Sequence, residues 1–562
     1  MPHKLNRARL LKGGVGALLV LGLAPGAAVA AVRRAPAALS VSARNIGRRY
    51  AGDRTLFATV SPGIAGRDAA AIRIRLPGAA SIKLEAVQTA LRASRVAWET
   101  NAQLGRGEHI VNWAPDLGTA VGSYVMRLTV VDRAGRETVL GARRPPSVGG
   151  QEAAVVRVLG IEAAFLRRSY VPGEPMELRI AADAPALTLQ FIRCGPEAVS
   201  TERNDELAGA PKGDAVPIDW TGKRSGPVTI TVQTGAWPPG VYAARLMAED
   251  GRVGFAPFVL RAAETEPRRQ LVIMPTNTWQ AYNFYDHDGD GWGDTWYAGG
   301  SPRVDLLRPY RDRGVPPRFK TYDRAFLRWL ARTGRTPDFA ADDDLETFAT
   351  GDELRVRYDL VVFPGHSEYM TSHAYDVIER YRDLGGRLVF LSANNFFWKV
   401  ETDGATLRRV RQWRELGRPE ARLLGGQYRA NDDGRRQGAY TVVAAEAAPW
   451  LFDKTELVTG STFGETVGGY GIEIDMATPD SPPGTIVLAR VVDLFGPGLS
   501  GEMTYYETET GARVFSAGTL DFGGSATFWP ISRMLANLWN HMLADVVPPP
   551  TISPAPAPAS RG

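Results

Sequence analysis

Short hydrophobic runs separated by turns dominate the first half of the chain. Between residues 39 and 148, β-rich runs such as LFATVSP, AAIRIRLP and GSYVMRLTVVDRAGRE alternate with turns that contain Gly, Pro and Asp. Residues 155–262 repeat this pattern, and their segment GVYAARL parallels GSYVMRL in the first block. Short strands at such regular spacing are typical of β-sandwiches. We therefore predict two β-sandwich domains in tandem, joined through the Pro/Gly-rich residues 144–151.

The pattern changes after residues 263–269, which are polar and charged. Residues 270–274 form an apolar run, and residues 358–398 read as strand, polar elbow, amphipathic helix and strand. Strands that alternate with helices indicate a parallel sheet. We predict an α/β domain over residues 268–545, closed by a helix at 530–543. The Pro/Ala-rich tail at 546–562 has the composition of a disordered segment.

The first 30 residues have the three parts of a secretory signal. Basic residues precede the apolar stretch 15–24, and the small residues Ala28, Val29 and Ala30 follow it, so we expect cleavage after Ala30. The segment holds four basic and no acidic residues, so its loss lowers the formal net charge from +5 to +1. No later stretch reaches the roughly 18 apolar residues of a membrane-spanning helix. We predict a secreted or periplasmic protein without a transmembrane segment after cleavage.

Charge and cysteine content exclude several function classes. No Lys/Arg cluster interleaved with aromatic residues occurs after the signal, so the sequence indicates no nucleic-acid partner. Cys194 is the single cysteine, which excludes an intramolecular disulfide and a cysteine-based zinc or iron–sulfur site. The six histidines show no HExxH motif. A metal would therefore be held chiefly by oxygen ligands.

The polar segment GHSEY at residues 365–369 follows a predicted buried strand, where ligands of parallel sheets bind. It resembles the nucleophile elbow of serine hydrolases, but Tyr369 replaces the glycine that lets the helix pack closely. A nucleophilic Ser367 is therefore the least favoured interpretation, and no cysteine stands at the elbow. His366 and Glu368 remain as a pair for proton transfer or metal binding. The alternative is a hydrogen-bonded strand end without chemistry.

Four carboxylates in DHDGDGWGD match the first half of a calcium-binding loop. They are Asp286, Asp288, Asp290 and Asp294. Tyr297 stands at the twelfth position, where an EF-hand has a bidentate glutamate. The sequence is therefore compatible with a calcium loop of a looser type and equally with a solvated acidic turn.

Two family resemblances add to this pattern. Residues 105–136, with an NW turn, a GSY strand and a DRAG hairpin, resemble the Ig-like module of flagellar-hook-cap type proteins. The motifs PTNTWQAYN, YDHDGDG, FPGHSEYM, GGRLVFLSANNFFWKV, GYGIEID and ARVFSAGTLDF occur in this order over residues 268–543. Together they resemble the C-terminal domain of the N,N-dimethylformamidase large (beta) subunit.

These resemblances imply a multidomain β and α/β protein. Two Ig-like β-sandwiches, residues 39–148 and 155–262, would precede a class I glutamine-amidotransferase-like, flavodoxin-like α/β domain. In the formamidase, a mononuclear iron is held by two tyrosines and a glutamate, and the enzyme hydrolyses a small amide. The expected cofactor is iron, and the expected partner is a small amide substrate.

Carried over position by position, the resemblance places Glu368 as the glutamate ligand with His366 beside it. Tyr282 and Tyr285 are the best matches for the two tyrosines, although Trp279 stands where the first motif tyrosine would be. Asn394 matches a polar residue after the next strand, and Glu473 matches an inward-facing acid. Phenolates and a carboxylate suit ferric iron, which would polarise an amide carbonyl or acidify a bound water. His366 would pass the proton to the departing amine.

Two hypotheses of different class follow. The first is an exported metal-dependent hydrolase of an amide C–N bond, for which dimethylformamide itself is not the expected substrate. The second is a non-catalytic cell-envelope binding or structural protein built on the same domains. The sequence leaves the natural substrate, the ligand of the β-sandwiches and the oligomeric state open.

Overall fold

The protein is β-rich and consists of several domains. The fold comes from a computed structural model that describes residues 39–90, 94–144, 152–199, 201, 203–263, 269–298 and 302–545. Within these residues, 34 strands form eight sheets and are accompanied by eight α-helices. The predicted signal at residues 1–30, the joining residues 145–151 and the tail at 546–562 lie outside the described residues.

The first β region consists of two sheets that share one hydrophobic core. Its strands are β1 (Ser40–Asn45), β2 (Phe57–Val60), β3 (Ala70–Leu76), β4 (Ala80–Gln88), β5 (Arg95–Leu104), β6 (Gly107–Trp113), β7 (Gly122–Asp132), β8 (Glu137–Leu140) and β9 (Val155–Val158). One sheet has the order β1-β3-β6, and the other has the order β2-β9-β7-β4-β5, with β8 beside β7. Ile72 and Ile74 of one sheet and Leu84 of the other are buried in the common core because alternate strand residues point to one face.

The second β region also pairs two sheets around its own core. Its strands are β10 (Glu162–Phe165), β11 (Ser169–Tyr170), β12 (Met176–Ala181), β13 (Leu187–Arg193), β14 (Ala210–Ile218), β15 (Val228–Val232), β16 (Gly240–Ala248) and β17 (Val253–Leu260). The sheet orders are β10-β12-β15 and β11-β17-β16-β13-β14. Aromatic side chains dominate the shared core, with Phe165, Trp220, Tyr242 and Phe258 all buried.

The boundary between the two β regions differs from the prediction. Strand β9 was predicted to open the second domain, but it pairs in parallel with β2 and antiparallel with β7 of the first region. Val155, Val156 and Val158 are buried there, so the first region extends to Val158. The alternating pattern predicts a strand at this position correctly, but it cannot specify which of two neighbouring sheets the strand joins.

The third region alternates strands and helices. Its strands up to the middle of the region are β18 (Gln270–Met274), β19 (Arg303–Asp305), β20 (Asp338–Ala341), β21 (Leu360–Phe363), β22 (Tyr369–Met370), β23 (Arg387–Phe390), β24 (Trp398–Thr402) and β25 (Thr406–Gln412). The later strands are β26 (Gln427–Asn431), β27 (Gln437–Gly438), β28 (Tyr440–Val442), β29 (Thr462–Phe463), β30 (Tyr470–Gly471), β31 (Glu473–Met476), β32 (Ile486–Val491), β33 (Gly501–Glu507) and β34 (Arg513–Ser516). The helices are α1 (Thr276–Ala281), α2 (Phe319–Tyr322), α3 (Arg324–Arg332), α4 (Gly351–Arg357), α5 (Ser372–Asp383), α6 (Ala421–Leu424), α7 (Pro449–Phe452) and α8 (Ile531–Leu543).

A nine-stranded sheet is the centre of this region. Its order is β20-β18-β21-β23-β34-β33-β32-β28-β29, in which the first five strands are parallel and the remaining pairs antiparallel. Alternate residues of β21 enter two different cores: Leu360 and Val362 pack with α3 and α8, whereas Val361 and Phe363 pack with α4 and α5. Helices therefore cover both faces of the parallel half, which explains the uninterrupted apolar run of β21.

The predicted strand–helix–strand unit at residues 358–398 is present as β21, α5 and β23. The hydroxyl of Thr371 accepts a hydrogen bond from the Ala374 N–H and begins α5. Gly385 ends it with a φ of +81°, a backbone conformation that L side chains rarely adopt. Among the described residues, none of the helices is both long enough and apolar enough to cross a membrane.

Candidate active site

The carboxyl ends of three parallel strands bring the candidate site together. Helix α1 follows β18, the HSEY segment follows β21, and Asn394 and Asn395 follow β23. These strands are neighbours in the sheet, so the segments after them meet at one edge. All the side chains of α1 are buried, as are those of residues 366–370 and 393–397. The sequence-predicted crevice is therefore filled by the protein's own side chains.

Tyr282, His366 and Glu368 form the centre of the site. The hydroxyl of Tyr282 donates a hydrogen bond to Glu368 Oε2. His366 Nε2 lies 3.5 Å from the same oxygen and 3.6 Å from Glu473 Oε2. His366 is 3% exposed, Glu368 1% and Glu473 5%, so these side chains face one another without bulk water. These four residues, the first and last of which are almost two hundred positions apart in the sequence, thus lie together in the structure.

Asn394 connects Glu473 to the end of β23. Its side-chain amide donates to Glu473 Oε2 at 2.6 Å, and its backbone N–H donates to Asp475 Oδ1 at 2.8 Å. Asn394 adopts a φ of +55°, a left-handed conformation that asparagine tolerates better than most residues. Burial raises the pKa of Asp475 to about 8. The asparagine therefore positions the second glutamate beside His366.

Backbone hydrogen bonds fix the HSEY segment between its neighbours. The N–H of Glu368 donates to Thr278 Oγ1 at 3.1 Å, and the N–H of Ser367 donates to Asn395 Oδ1 at 3.0 Å. The Ser367 hydroxyl is buried and makes no hydrogen bond to any residue that the structure describes. A nucleophilic serine needs a base within hydrogen-bond distance. The arrangement therefore gives no support to a serine hydrolase.

Tyr285 does not join this cluster, in contrast to the sequence-based expectation. Its hydroxyl donates to Glu162 Oε2 at 2.8 Å, and Glu162 also pairs with Arg157 at 2.6 Å. Burial raises the pKa of the Tyr285 phenol far above its ordinary value. Helix α1 ends at Ala281, so the chain has already turned away toward the second β region when it reaches Tyr285. Tyr285 anchors an interdomain contact instead.

Tyr297 occupies the place next to Tyr282. The two rings stack with centroids 3.7 Å apart and an interplanar angle of 14°. Tyr297 belongs to a single 3-10 turn, Trp296–Ala298, that follows the acidic loop. Sequence reasoning used this tyrosine only as a departure from the EF-hand pattern and missed it as a site residue. The signal that could have found it is an aromatic pair, WY, directly after a loop that begins beside the site.

Trp279, which stands where the family motif has its first tyrosine, contacts the buried acid Asp323. Its indole N–H donates to Asp323 Oδ2 at 3.2 Å, and its ring packs edge-on against Phe319. Burial raises the pKa of Asp323 to about 8. Trp279 and Asp323 border a cavity that Tyr282, Tyr297 and His366 also line.

This cavity measures about 10 Å³, which is the space of a single water molecule. A small amide is larger than this, so its entry requires the lining side chains to move apart.

Three of the four predicted calcium ligands come together. Side-chain oxygens of Asp286, Asp288 and Asp294 lie within 4.8 Å of one another, whereas Asp290 is not part of this group. Asp290 and Asp294 pair with Arg144 of the first β region at 3.4 and 3.0 Å. Burial raises the pKa of Asp290 to about 6 and that of Asp286 well above its ordinary value. Calcium binding at this loop stays a prediction.

The donor set at the centre of the site suits a hard, trivalent metal ion. Tyr282 and Glu368 already share a hydrogen bond, and the Tyr297 ring lies against that of Tyr282. A buried His366 Nε2 without a hydrogen bond in the described part of the chain adjoins them. Phenol and carboxylate oxygens are typical of ferric sites. The residues present therefore fit iron.

Comparisons with known proteins give matches to one family. Residues 196–532, more than half of the chain, match the family described as "N,N-dimethylformamidase beta subunit-like, C-terminal". The N,N-dimethylformamidase beta subunit of Paracoccus aminophilus is 25% identical over 349 residues, which are 51% of this chain and 44% of the relative. The beta subunit of that name from Alcaligenes sp is 24% identical over 320 residues, 46% of this chain and 42% of the relative. The chain thus spans less than half the length of these curated relatives.

Proposed function

Because this chain belongs to the N,N-dimethylformamidase beta subunit-like family, we propose that it hydrolyses the C–N bond of a small amide. The observation that carries the proposal is the buried contact between Tyr282 and Glu368, with His366 Nε2 3.5 Å from the same carboxylate oxygen. A phenol, a carboxylate and an imidazole without bulk water are an arrangement for metal-assisted proton transfer. The activity, the substrate and any subunit partner of the relatives are attributed to this chain only within this proposal.

Iron is the proposed cofactor, and its ligands would be Tyr282, Tyr297 and Glu368. Tyr297 replaces Tyr285 in this set because it stacks on Tyr282, whereas Tyr285 is hydrogen-bonded to Glu162. When bound, iron supplies a Lewis acid that polarises the amide carbonyl.

His366 would move the proton that amide hydrolysis requires. Its Nε2 lies between Glu368 Oε2 and Glu473 Oε2, and either carboxylate stabilises the imidazolium that forms when Nε2 takes a proton from water. The same nitrogen would then deliver the proton to the departing amine. Asn394 holds Glu473 in place through its 2.6 Å hydrogen bond, so its role is positioning.

Metal analysis and activity of one variant pair test the proposal. Purified wild type should contain about one iron per chain and show a tyrosinate-to-iron visible band. Glu368→Gln should lose both together with amide hydrolysis. Glu509→Gln is the matched control because Glu509 is exposed in the turn between β33 and β34, and it should retain iron and activity. A folded wild type that binds no iron and hydrolyses no amide would contradict the proposal.

The second candidate is a non-catalytic cell-envelope binding or structural protein. It is favoured by the small size of the cavity, about 10 Å³, and by the two β regions that precede the site. Under this alternative, Glu368→Gln should alter the stability of the α/β region without any loss of turnover, since the wild type would have none.

Finer features of the architecture and location are also proposals. The two-sheet β regions and the parallel sheet with helices on both faces support Ig-like sandwiches followed by a class I glutamine-amidotransferase-like domain. The pattern of residues 1–30 supports export to the periplasm or the medium. Cell fractionation, with mass spectrometry of the mature N-terminus, tests the predicted cleavage after Ala30.

A further inference from the structure

Asp323 is a buried acid that the proposed chemistry does not use. It lies between α2 and α3, is 1% exposed and borders the same cavity as Tyr282 and His366. Its Oδ2 accepts the indole N–H of Trp279 at 3.2 Å. Its Oδ1 is buried without a hydrogen-bond partner, and no cation pairs with it among the described residues. Burying an ionised carboxylate without a cation costs free energy, so the presence of Asp323 at this position calls for a functional reason.

The chain makes room for this carboxyl beside the end of β21. A Cβ added to Gly365 would lie 2.3 Å from Asp323 Oδ1, so a side chain at that position would displace the acid. Gly365 directly precedes His366, and the carboxyl therefore approaches the segment that carries the proposed proton donor.

The protonation state follows from the surroundings. Burial is the largest cause of the raised pKa of Asp323, which is about 8, and the hydrogen bond from Trp279 opposes it. The titratable and charged groups that border the same cavity are Arg318 and Tyr322 before Asp323, Tyr282 and Tyr297 after β18, and His366 after β21. Because indole N–H is only a donor, Oδ2 acts as the acceptor and the proton of the neutral acid resides on Oδ1.

We propose that Asp323 is a further substrate-binding residue, whose Oδ1–H donates a hydrogen bond to the carbonyl oxygen of an uncharged small amide. This inference rests on the proposed function and names a feature of the substrate. The substrate presents an uncharged carbonyl oxygen, which accepts a hydrogen bond from the neutral Asp323 carboxyl. The amide oxygen supplies the acceptor that Asp323 Oδ1 lacks within the described protein. A substrate group bearing a positive charge would instead ionise Asp323 and lose this donor.

Three variants test the assignment through the pH dependence of kcat/KM for acetamide, a small uncharged amide. In the wild type, kcat/KM should fall about tenfold per pH unit above about pH 8, where Asp323 ionises. Asp323→Asn keeps a donor at this position, so it should remain within about tenfold of the wild type and lack this alkaline loss. Asp323→Ala should raise KM about 10- to 100-fold with little change in kcat. Asp383→Asn, an exposed acid on α5, is the control.

Two results would overturn the inference. One is an Asp323→Asn variant that keeps the alkaline loss of the wild type, and the other is an Asp323→Ala variant whose KM stays within twofold. Failure of the proposed function is separable, because a wild type without turnover can still be tested for binding. Saturation-transfer NMR with acetamide should then show binding to wild type and its loss in Asp323→Ala, and equal binding to both would overturn the role of Asp323.

Discussion

Some buried acids, Asp323 and Asp475 among them, form no salt bridge within the described residues, and Asp475 offers a residue-scale test of their protonation. Its Oδ1 accepts the Asn394 N–H at 2.8 Å, and burial raises its pKa from an ordinary 3.8 to about 8. The folded state therefore binds more protons than the unfolded state between about pH 4 and pH 8. The contribution of the protonated Asp475 carboxyl to the free energy of unfolding is fully present below about pH 4 and is lost as pH rises through about 8.

Asp475→Asn removes this titration while keeping an acceptor for the Asn394 N–H. We expect the difference in the free energy of unfolding between variant and wild type to shift by about 1.4 kcal/mol per pH unit between pH 5 and 7. Urea unfolding at several pH values, followed by tryptophan fluorescence, measures it. Glu509→Gln should leave the wild-type slope unchanged, and a parallel pair of curves for Asp475→Asn would show that Asp475 ionises normally.

The sequence identified some of the site at the residue scale and missed the rest for a physical reason. His366 and Glu368 could be predicted because they directly follow a buried strand, and strand ends are set by local pattern. Tyr297 and Asp323 were missed because a 3-10 turn after an acidic loop and a residue between two helices have no periodic signature, and the WY pair was the one local signal for Tyr297. Tyr285 was placed wrongly because its direction depends on Glu162 of another region.

Helix α1 is held from outside its own domain, which makes an element-scale prediction possible. Arg168, just before β11, donates to Thr276 Oγ1 at 3.1 Å and to Asn277 Oδ1 at 2.5 Å, and it pairs with Asp343 at 2.9 Å. Asn277 in turn donates to the Tyr369 carbonyl at 3.3 Å. The second β region thus fixes the start of the helix that directly precedes Tyr282.

Arg168→Met should destabilise the protein by about 3–5 kcal/mol because it removes the cation that lies 3.6 Å from the buried Asp342 carboxyl as well as the partner of Asp343. It should also weaken iron binding by releasing α1. Arg167→Met is the matched control, since the Arg167 side chain is 56% exposed and should change the free energy of unfolding by less than about 1 kcal/mol. Calorimetry and metal analysis of both variants provide the measurements. Equal stability of the two variants would contradict the role of Arg168 in fixing the start of α1.

Some strand and helix positions in the α/β region were predictable from sequence, because apolar runs and helical periodicity are local. Strand β21, helix α5 and strand β23 lie where the pattern of residues 358–398 predicts them. The partner of β9 was not predictable, since its alternation fits either neighbouring sheet. Pairing between distant strands depends on packing that a single sequence does not display.

At the scale of the whole molecule, the acidic loop at residues 286–294 joins the first β region to the α/β region. Arg144 pairs with Asp294 at 3.0 Å, and Thr89 Oγ1 donates to the Gly291 carbonyl at 2.8 Å. A cation that neutralises the carboxylates of Asp286, Asp288 and Asp294 would remove repulsion at this junction and stabilise both regions together.

We therefore expect calcium to raise the Tm of the whole chain. At a calcium concentration 100 times the Kd, the gain in free energy of unfolding would be about 2.7 kcal/mol. Differential scanning fluorimetry with calcium, magnesium and EGTA measures the shift, and Asp286→Asn should abolish it because its carboxylate accepts the Gly289 and Gly291 N–H groups that shape the loop. Asp383→Asn should respond to calcium as the wild type does. If calcium leaves the Tm of the wild type unchanged, Arg144 and the backbone N–H groups already offset the negative charge of the loop carboxylates. The junction would then need no metal.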